Sequence, residues 1–231
     1  MSSYYAGASK ILVAVDCIVF GYEIEEEQLK LLLFKRKVKP HANKWSLIGS
    51  FVQEHEDLDL AANRVLEDFT GLENVFLEES KSYGQVNRDT GGRVISIAYW
   101  SLIKLEQQNL HIVNSHGAKW FKVNDLPDLI LDHDLMVSDA LKRLRNIAQN
   151  FPIGKELLPE FFTLPQMIQL YRSIYQKEID DRNFRKKILA TKILMKQDHK
   201  DKNSSKKGAY YFKFDEEKYA EWLEKGYYIN W

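Results

Sequence analysis

Two short amphipathic helices in the last third of the sequence constrain the fold more than any other feature. Thr163 and Gln166 stand at the spacing of a capping box, and apolar residues follow at i, i+3, i+4, i+7 and i+8, as on one helix face. After the polar connection QKEID, one of the aspartates at 180–181 can cap a second helix, in which Phe184 and Ile188 point to the same side. The two patterns predict a pair of packed helices joined by a tight turn.

Two strand patterns, KILMKQ and AYYFKF, follow the second helix and are joined by the basic turn DHKDKNSSKKG. Helix, turn, helix and a two-stranded wing is the order of a winged helix-turn-helix. Residues 182–213 contain 11 basic residues against two acidic ones, a local charge of +9, although the whole chain has a net charge of zero. A basic block is often only a solvated face, but inside this pattern it favours a polyanion such as DNA.

The outer arc of the second helix, opposite Phe184 and Ile188, carries arginine, asparagine and lysine. Arginine and asparagine read base edges in the major groove, and lysine binds phosphates. A helical lid with a solvated basic face is the alternative. The residues predicted to contact double-stranded DNA are Arg182, Asn183, Arg185, Lys186 and Lys187 of the helix, with Lys206 and Lys207 of the wing.

The first 150 residues have a mixed α/β pattern. The segments ILVAVDCIVFGY, LKLLLFKR, VFLEESKSYG, RVISIAYWSLIKL and AKWFKV are predicted strands. Helical spacing begins after Leu58 and ends at Gly71, a suitable C-terminal cap, and a further helix is predicted over 134–149. The segment NFPIGKELLPEFF interrupts the helical patterns, so we predict two domains, 1–150 and 151–231.

Composition limits the cellular compartment and the kinds of site that the protein can have. A single cysteine, Cys17, excludes a disulfide framework within the chain and favours a reducing compartment. The first residues show no signal peptide and no apolar run is long enough to span a bilayer, so we predict a cytoplasmic protein without a membrane partner. The six histidines do not have the spacing of a zinc site, and no metal site is predicted.

The stretch SFVQEHEDLDLAANRVLEDFTGL, residues 50–72, resembles the Nudix box, G-x5-E-x7-R-E-U-x-E-E-x-G-U, in which U is bulky and apolar. The positions that fit are Ser50 in place of the first glycine, Glu56, Arg64, Leu66, Gly71 and Leu72. The three remaining glutamates of the pattern fall on Val65, Asp68 and Phe69.

These three positions share one helix face, where three carboxylates would hold Mg²⁺ and help to activate a water against a diphosphate. Only Asp68 keeps its carboxylate here, although Glu56 or Glu67 leaves residual Mg²⁺ binding open. We therefore predict no catalytic residue, no cofactor and no enzyme. The alternative is a weak Nudix pyrophosphohydrolase that acts on ADP-ribose-like substrates.

A Nudix-like domain with an eroded box, followed by a winged helix, resembles the Nudix-related transcriptional regulators. The segment FTLPQMIQLYRSIYQKEIDDRNFRKKIL, residues 162–189, is similar to that family's signature, and LDHDL, residues 131–135, falls where the family carries an Asp-His pair. The resemblance implies a homodimer that binds a palindromic operator and responds to a small-molecule effector. Family effectors include ADP-ribose-type nucleotides and pentose sugars such as arabinose. The lost acids favour a sugar, and hence regulation of sugar metabolism.

Candidate effector contacts follow from the Nudix resemblance and from the distribution of charge. They are Arg36, Trp45, Glu56, Arg64, Glu67 and Arg88. Trp45 also fits a core position, and each glutamate alone also fits a solvated surface. A further alternative for the whole chain is a nucleic-acid-binding adaptor that uses its Nudix half only to dimerise.

Overall fold

The computed structural model of the protein describes residues 4, 7–202, 208–226 and 229. The wing lysines Lys206 and Lys207 lie outside the described residues. The strands are β1 Leu12–Glu23, β2 Gln28–Lys35, β3 Trp45–Ser46, β4 Ile48–Phe51, β5 Glu78–Tyr83, β6 Val94–Lys104, β7 Ala118–Lys122, β8 Phe162–Thr163, β9 Leu194–Asp201 and β10 Ala209–Phe214. The helices are α1 Leu58–Thr70, α2 Gln107–Ser115, α3 His133–Asn150, α4 Leu164–Tyr175, α5 Asp181–Ala190 and α6 Glu216–Glu224.

The N-terminal part is built on a seven-stranded mixed sheet in the order β3-β2-β1-β6-β5, with β4 paired to β1 and β7 to β2. Strands β1 and β6 run parallel from Leu12 opposite Val94 to Tyr22 opposite Lys104. Successive side chains of a strand point to opposite faces of the sheet. Accordingly, Val15, Cys17 and Val19 share one apolar cluster with α1, whereas Ile18, Phe20 and Tyr22 share the other with α3. The mixed α/β sandwich is therefore a helix–sheet–helix arrangement.

Helix α1 follows the Nudix-box loop and lies against one face of the sheet. It ends at Gly71, whose φ of 71° is left-handed and whose N–H donates to the carbonyl of Glu67, as the sequence predicts. Its buried residues are Ala61, Ala62, Val65, Leu66 and Thr70. This face holds the helix on the sheet, so the frame of the box has a structural role independent of any metal.

Helix α3 connects the sheet to the C-terminal part. Its buried face joins the same apolar cluster as Met167, Tyr171 and Ile174 of α4. Arg145 Nε donates to the carbonyl of Ile174 at 3.1 Å, across the predicted domain boundary. The Tyr171 hydroxyl accepts from the N–H of Ile153 at 2.9 Å. Residues 151–158 are therefore packed between the two parts, and α3 and α4 share one continuous core.

The C-terminal part has the predicted helix-turn-helix. Thr163 and Gln166 form the capping box at the start of α4, and Asp180 caps α5 by accepting from two backbone N–H groups at 3.0 Å. The ring of Phe184 packs against Tyr171 with centroids 4.8 Å apart. The predicted two-stranded wing becomes a three-stranded sheet in the order β8-β10-β9. No helix in the described ranges combines the length and hydropathy needed to cross a bilayer.

Candidate functional site

A cavity of about 520 Å³ opens between β1, β4, the end of α1 and the start of α3. This volume lies in the range of small-molecule sites. Phe34 and Phe69 form part of its apolar wall, packed edge to face with centroids 4.9 Å apart. The charged and imidazole side chains that line it are Asp16, Arg36, Lys37, Asp68, Arg88, Asp89, His116 and His133.

Arg88 is a buried cation in the cavity wall, with a side chain only 2% exposed. It lies in the loop between β5 and β6 and donates from Nε and Nη2 to the carboxylate of Asp132, at 2.9 and 2.7 Å. Asp132 immediately precedes α3, but its side chain makes no capping bond. Asp132, the first aspartate of LDHDL, therefore anchors the Arg88 loop instead of capping the helix. The two hydrogen bonds fix the plane of the Arg88 guanidinium group.

Asp16 and His133 form a second polar pair beside Arg88. They are 6% and 4% exposed. Asp16 Oδ2 accepts from the Ser96 hydroxyl at 2.5 Å. His133 Nδ1 accepts from the N–H of Leu47 at 3.0 Å, which places the proton of the neutral ring on Nε2. Nε2 lies 3.8 Å from Asp16 Oδ1, too far for a hydrogen bond.

The sequence analysis did not assign Asp16 or His133 to the site. Asp16 lies inside the apolar strand segment ILVAVDCIVFGY. A lone carboxylate in a buried strand needs a polar partner, and that signal was available. Gly49 adds a steric signal, because a Cβ at this position would lie 2.0 Å from Asp16 Oδ1.

The three positions that lost their glutamates now have different environments. Val65 has no exposed surface and belongs to the core beneath α1, and Phe69 lies in the cavity wall. Asp68 is exposed and 3.5 Å from Arg64. Among the described residues, no group of three or more histidine, cysteine or acidic side chains is arranged to hold a metal ion.

The Glu56 carboxylate accepts two hydrogen bonds from Arg64, at 2.8 and 2.6 Å, and one from the N–H of Gln53 at 2.8 Å. The Arg64 contact and the Gln53 N–H stabilise the ionised form, and they lower the pKa of Glu56 to about 2. The pair ties the box loop to α1.

Two of the six candidate effector contacts, Arg36 and Arg88, line the cavity, and the other four do not. Glu56 and Arg64 bind each other, and Glu67 is on the solvent side of α1. Trp45 packs edge to face on Phe121, 4.8 Å between centroids, in agreement with its core interpretation. Helical and loop spacing did not reveal which side chains face the cavity, because the cavity is formed by segments distant in sequence.

The predicted DNA-binding residues of α5 form one surface. Arg182, Asn183 and Lys186 are exposed opposite the buried Phe184 and Ile188, and Arg185 and Lys187 are partly buried at the flanks. The wing adds basic side chains that were not named from the sequence. Lys196 and Lys200 lie over the ring of Tyr210, at 3.6 and 4.4 Å from its centroid. Helix and wing therefore both carry exposed or partly exposed basic groups that suit an anionic partner.

Comparisons with known proteins agree with this architecture. A NUDIX domain model matches residues 10–141, and a model of the NrtR DNA-binding winged helix domain matches residues 154–214. The ADPR responsive transcriptional repressor NtrR of Acinetobacter baylyi is 28% identical over 207 residues, 88% of this chain and 82% of that protein. An ADP-ribose pyrophosphatase of Methanocaldococcus jannaschii is 31% identical over 131 residues, 56% of this chain and 73% of that protein.

The crystal structure of Shewanella oneidensis NrtR complexed with a 27mer DNA matches with a TM-score of 0.73 and 24% identity, over 94% of this chain and 96% of that one. This match shows a common fold for both parts. The chain belongs to the Nudix family, and it joins its Nudix domain to a winged helix domain of the NrtR type.

Proposed function

We propose that the protein is a transcriptional repressor that binds an operator through α5 and the wing and responds to ADP-ribose in the Nudix cavity. The observation that carries the proposal is the joining of two surfaces by one core. The basic face of α5 and the 520 Å³ cavity belong to parts that share a continuous apolar cluster through α3 and α4. The Acinetobacter relative, named as an ADPR responsive repressor, supports the same combination.

The effector proposal departs from the sugar favoured on the sequence. That preference assumed that a diphosphate has no countercharge once the acids and their metal are lost. Arg36 and Lys37 both line the cavity, and cationic side chains can bind a diphosphate without a metal. The relatives give no support to arabinose, and both of their names refer to ADP-ribose.

We further propose that the protein binds ADP-ribose without efficient hydrolysis. Val65 lies in the core and Phe69 in the cavity wall, so two of three acid positions cannot bind Mg²⁺. A weak pyrophosphohydrolase is the second candidate, favoured by the Methanocaldococcus relative and by the surviving Asp68. A sensor that releases its ligand unchanged keeps the signal, whereas hydrolysis would remove it.

We propose a homodimer on a palindromic operator. Two winged helices related by a two-fold axis contact two half-sites, which increases affinity without enlarging either reading surface. In a dimer the two α5 helices can adopt two relative arrangements. An effector that binds one arrangement more tightly shifts the equilibrium towards it and so changes operator affinity.

The test uses fragments of source genomic DNA that purified protein selects, measured by fluorescence anisotropy at one fixed salt concentration. We expect a palindromic fragment to be enriched and ADP-ribose to lower its affinity, while arabinose has no effect. Arg182→Ala should weaken binding by roughly 5- to 150-fold, the range of one base-reading side chain. Lys119→Ala, an exposed lysine on β7, is the matched control and should bind as the wild type.

Binding that is weak, indifferent to sequence and insensitive to ADP-ribose would refute the repressor. Release of AMP from ADP-ribose with Mg²⁺ at ordinary enzymatic rates, abolished by Asp68→Asn, would establish the hydrolase instead. Sedimentation with and without the operator fragment tests the dimer.

A further inference from the structure

We propose that Asp16 and His133 form a hydroxyl-binding subsite that takes the free ribose of the effector. The inference rests on the proposed function and adds the orientation of the bound ligand in the cavity. Neither residue was assigned a role from the sequence. Binding of a diphosphate by Arg36 and Lys37 does not require an aspartate and a histidine in the same cavity.

The first step is that both groups have unsatisfied hydrogen-bonding capacity. Asp16 Oδ2 is engaged by Ser96, but no bond reaches Oδ1 within the described part of the chain. His133 Nδ1 accepts from the N–H of Leu47, so the ring proton is on Nε2. Nε2 faces Asp16 Oδ1 at 3.8 Å, and the two atoms do not form a hydrogen bond. Both residues line the cavity although each is more than nine-tenths buried. Leaving such groups without a partner is unfavourable, so they are suited to meet a ligand.

The second step is the chemistry of that ligand. An acceptor and a donor 3.8 Å apart suit a hydroxyl group, which donates to Asp16 Oδ1 and accepts from His133 Nε2. A phosphate suits the position poorly, because its oxygens would face the Asp16 carboxylate. The charge of the neighbouring Arg88 is already balanced, because it donates two bonds to Asp132 and its Nη2 lies 3.9 Å from Asp16 Oδ2. A neutral polyol end of the ligand therefore fits this subsite.

The third step places the rest of the ligand. Arg36 and Lys37 line the same cavity but are more exposed than the Asp16–His133 pair. In this placement the negative diphosphate lies next to Arg36 and Lys37. The neutral hydroxyls of the free ribose lie on Asp16 and His133. ADP-ribose has such a ribose beyond its diphosphate, and ADP does not.

Gly49 provides the space for this subsite. A Cβ there would lie 2.0 Å from Asp16 Oδ1, the atom that is to accept from the ligand. The glycine does not have a positive φ, so its role is steric and not conformational. Gly49→Ala should thus block the subsite without changing any charge.

The experiment measures the affinity of the full chain for ADP-ribose and for ADP by calorimetry. Asp16→Asn replaces the charged carboxylate with a neutral amide, so the hydroxyl of the ribose loses a charge-assisted hydrogen bond. We expect ADP-ribose affinity to fall at least about tenfold, as for the loss of a hydrogen bond to a charged group, and ADP affinity to change less than about twofold. Asp125→Asn, an exposed aspartate after β7, is the matched control.

An equal loss for both ligands, or no loss for either, would overturn the subsite. Thermal unfolding and operator binding show whether Asp16→Asn is folded, and Gly49→Ala gives the same test if it is not. Wild-type protein that binds operator but not ADP-ribose would refute the proposed effector itself, an outcome visible before any variant is made.

Discussion

Val65→Glu would restore one glutamate of the Nudix box, and the structure predicts that it destabilises the protein. Val65 has no exposed surface and lies among Cys17, Ala61 and Ala62 in the cluster between α1 and the sheet. Arg64, the one arginine of α1, is held by Glu56 and Asp68 and so is not available as a partner. A carboxylate placed here is desolvated without a partner.

The size of the effect follows from linkage. A glutamate in an apolar core has a pKa of about 8 to 9, against about 4.3 in the unfolded chain, so the folded variant holds a proton at pH 7 that the unfolded chain has lost. Each pKa unit is about 1.4 kcal/mol, which gives about 4 kcal/mol of destabilisation at pH 7 from protonation alone. That is a large part of the stability of an ordinary domain.

The assay is urea unfolding of the wild type, Val65→Glu and Val65→Gln between pH 5 and 8. Because the folded pKa is raised, the destabilisation of the glutamate variant should grow by about 1.4 kcal/mol per pH unit as pH rises, and towards pH 5 it should approach the pH-independent destabilisation of the glutamine variant. Val65→Gln has a similar shape and no charge, so its destabilisation should not depend on pH. A glutamate variant as stable as the glutamine variant at pH 8, or one stabilised by Mg²⁺, would refute the assignment of Val65 to the core.

Three further changes test other parts of the structure. Ile188→Ala removes a fully buried side chain from α5 and should lower the free energy of unfolding by about 2 to 5 kcal/mol in urea titration. Asp180→Ala removes the acceptor for two N–H groups at the start of α5 and should cost about 1 kcal/mol, with weaker operator binding in the anisotropy assay. Glu56→Gln should remove a stabilisation that is present above about pH 4.5 and is lost as pH falls towards the folded pKa of about 2. Acid titration followed by circular dichroism checks it, and an unchanged acid transition would contradict the Arg64 pair.

The elements predicted well from the sequence are those whose signals are local. The capping box at Thr163 and Gln166, the cap at Asp180 and the left-handed Gly71 are each defined within a few residues, and the structure has all of them. Helices α2 and α6 were not predicted because each buries a single residue, Val113 or Trp222, and a single buried residue gives no periodicity. Strand β8 has two residues and exists only through its pairing with β10.

The site was less predictable because its contacts are long-range. Asp16 and His133 are 117 positions apart and meet only because β1 and the start of α3 border the same cavity. Charge counting identified Arg36 and Arg88 but did not distinguish them from Arg64, whose partner Glu56 lies eight residues away. A charged residue with a local partner and one that faces a cavity look the same in a single sequence.

The retention of a Nudix-box helix without its acids has a physical explanation in the two sides of α1. One side, Ala61, Ala62 and Leu66, holds the sheet and would be needed in an enzyme and in a receptor alike. Of the acid positions, Val65 lies on this same side and extends the core, whereas Phe69 packs on Phe34 in the cavity wall. A phenylalanine in place of an acid at position 69 therefore removes metal-binding charge and adds apolar contact to the cavity. Both replacements leave the packing that holds the helix on the sheet intact, which is why the frame of the box can persist without its acids.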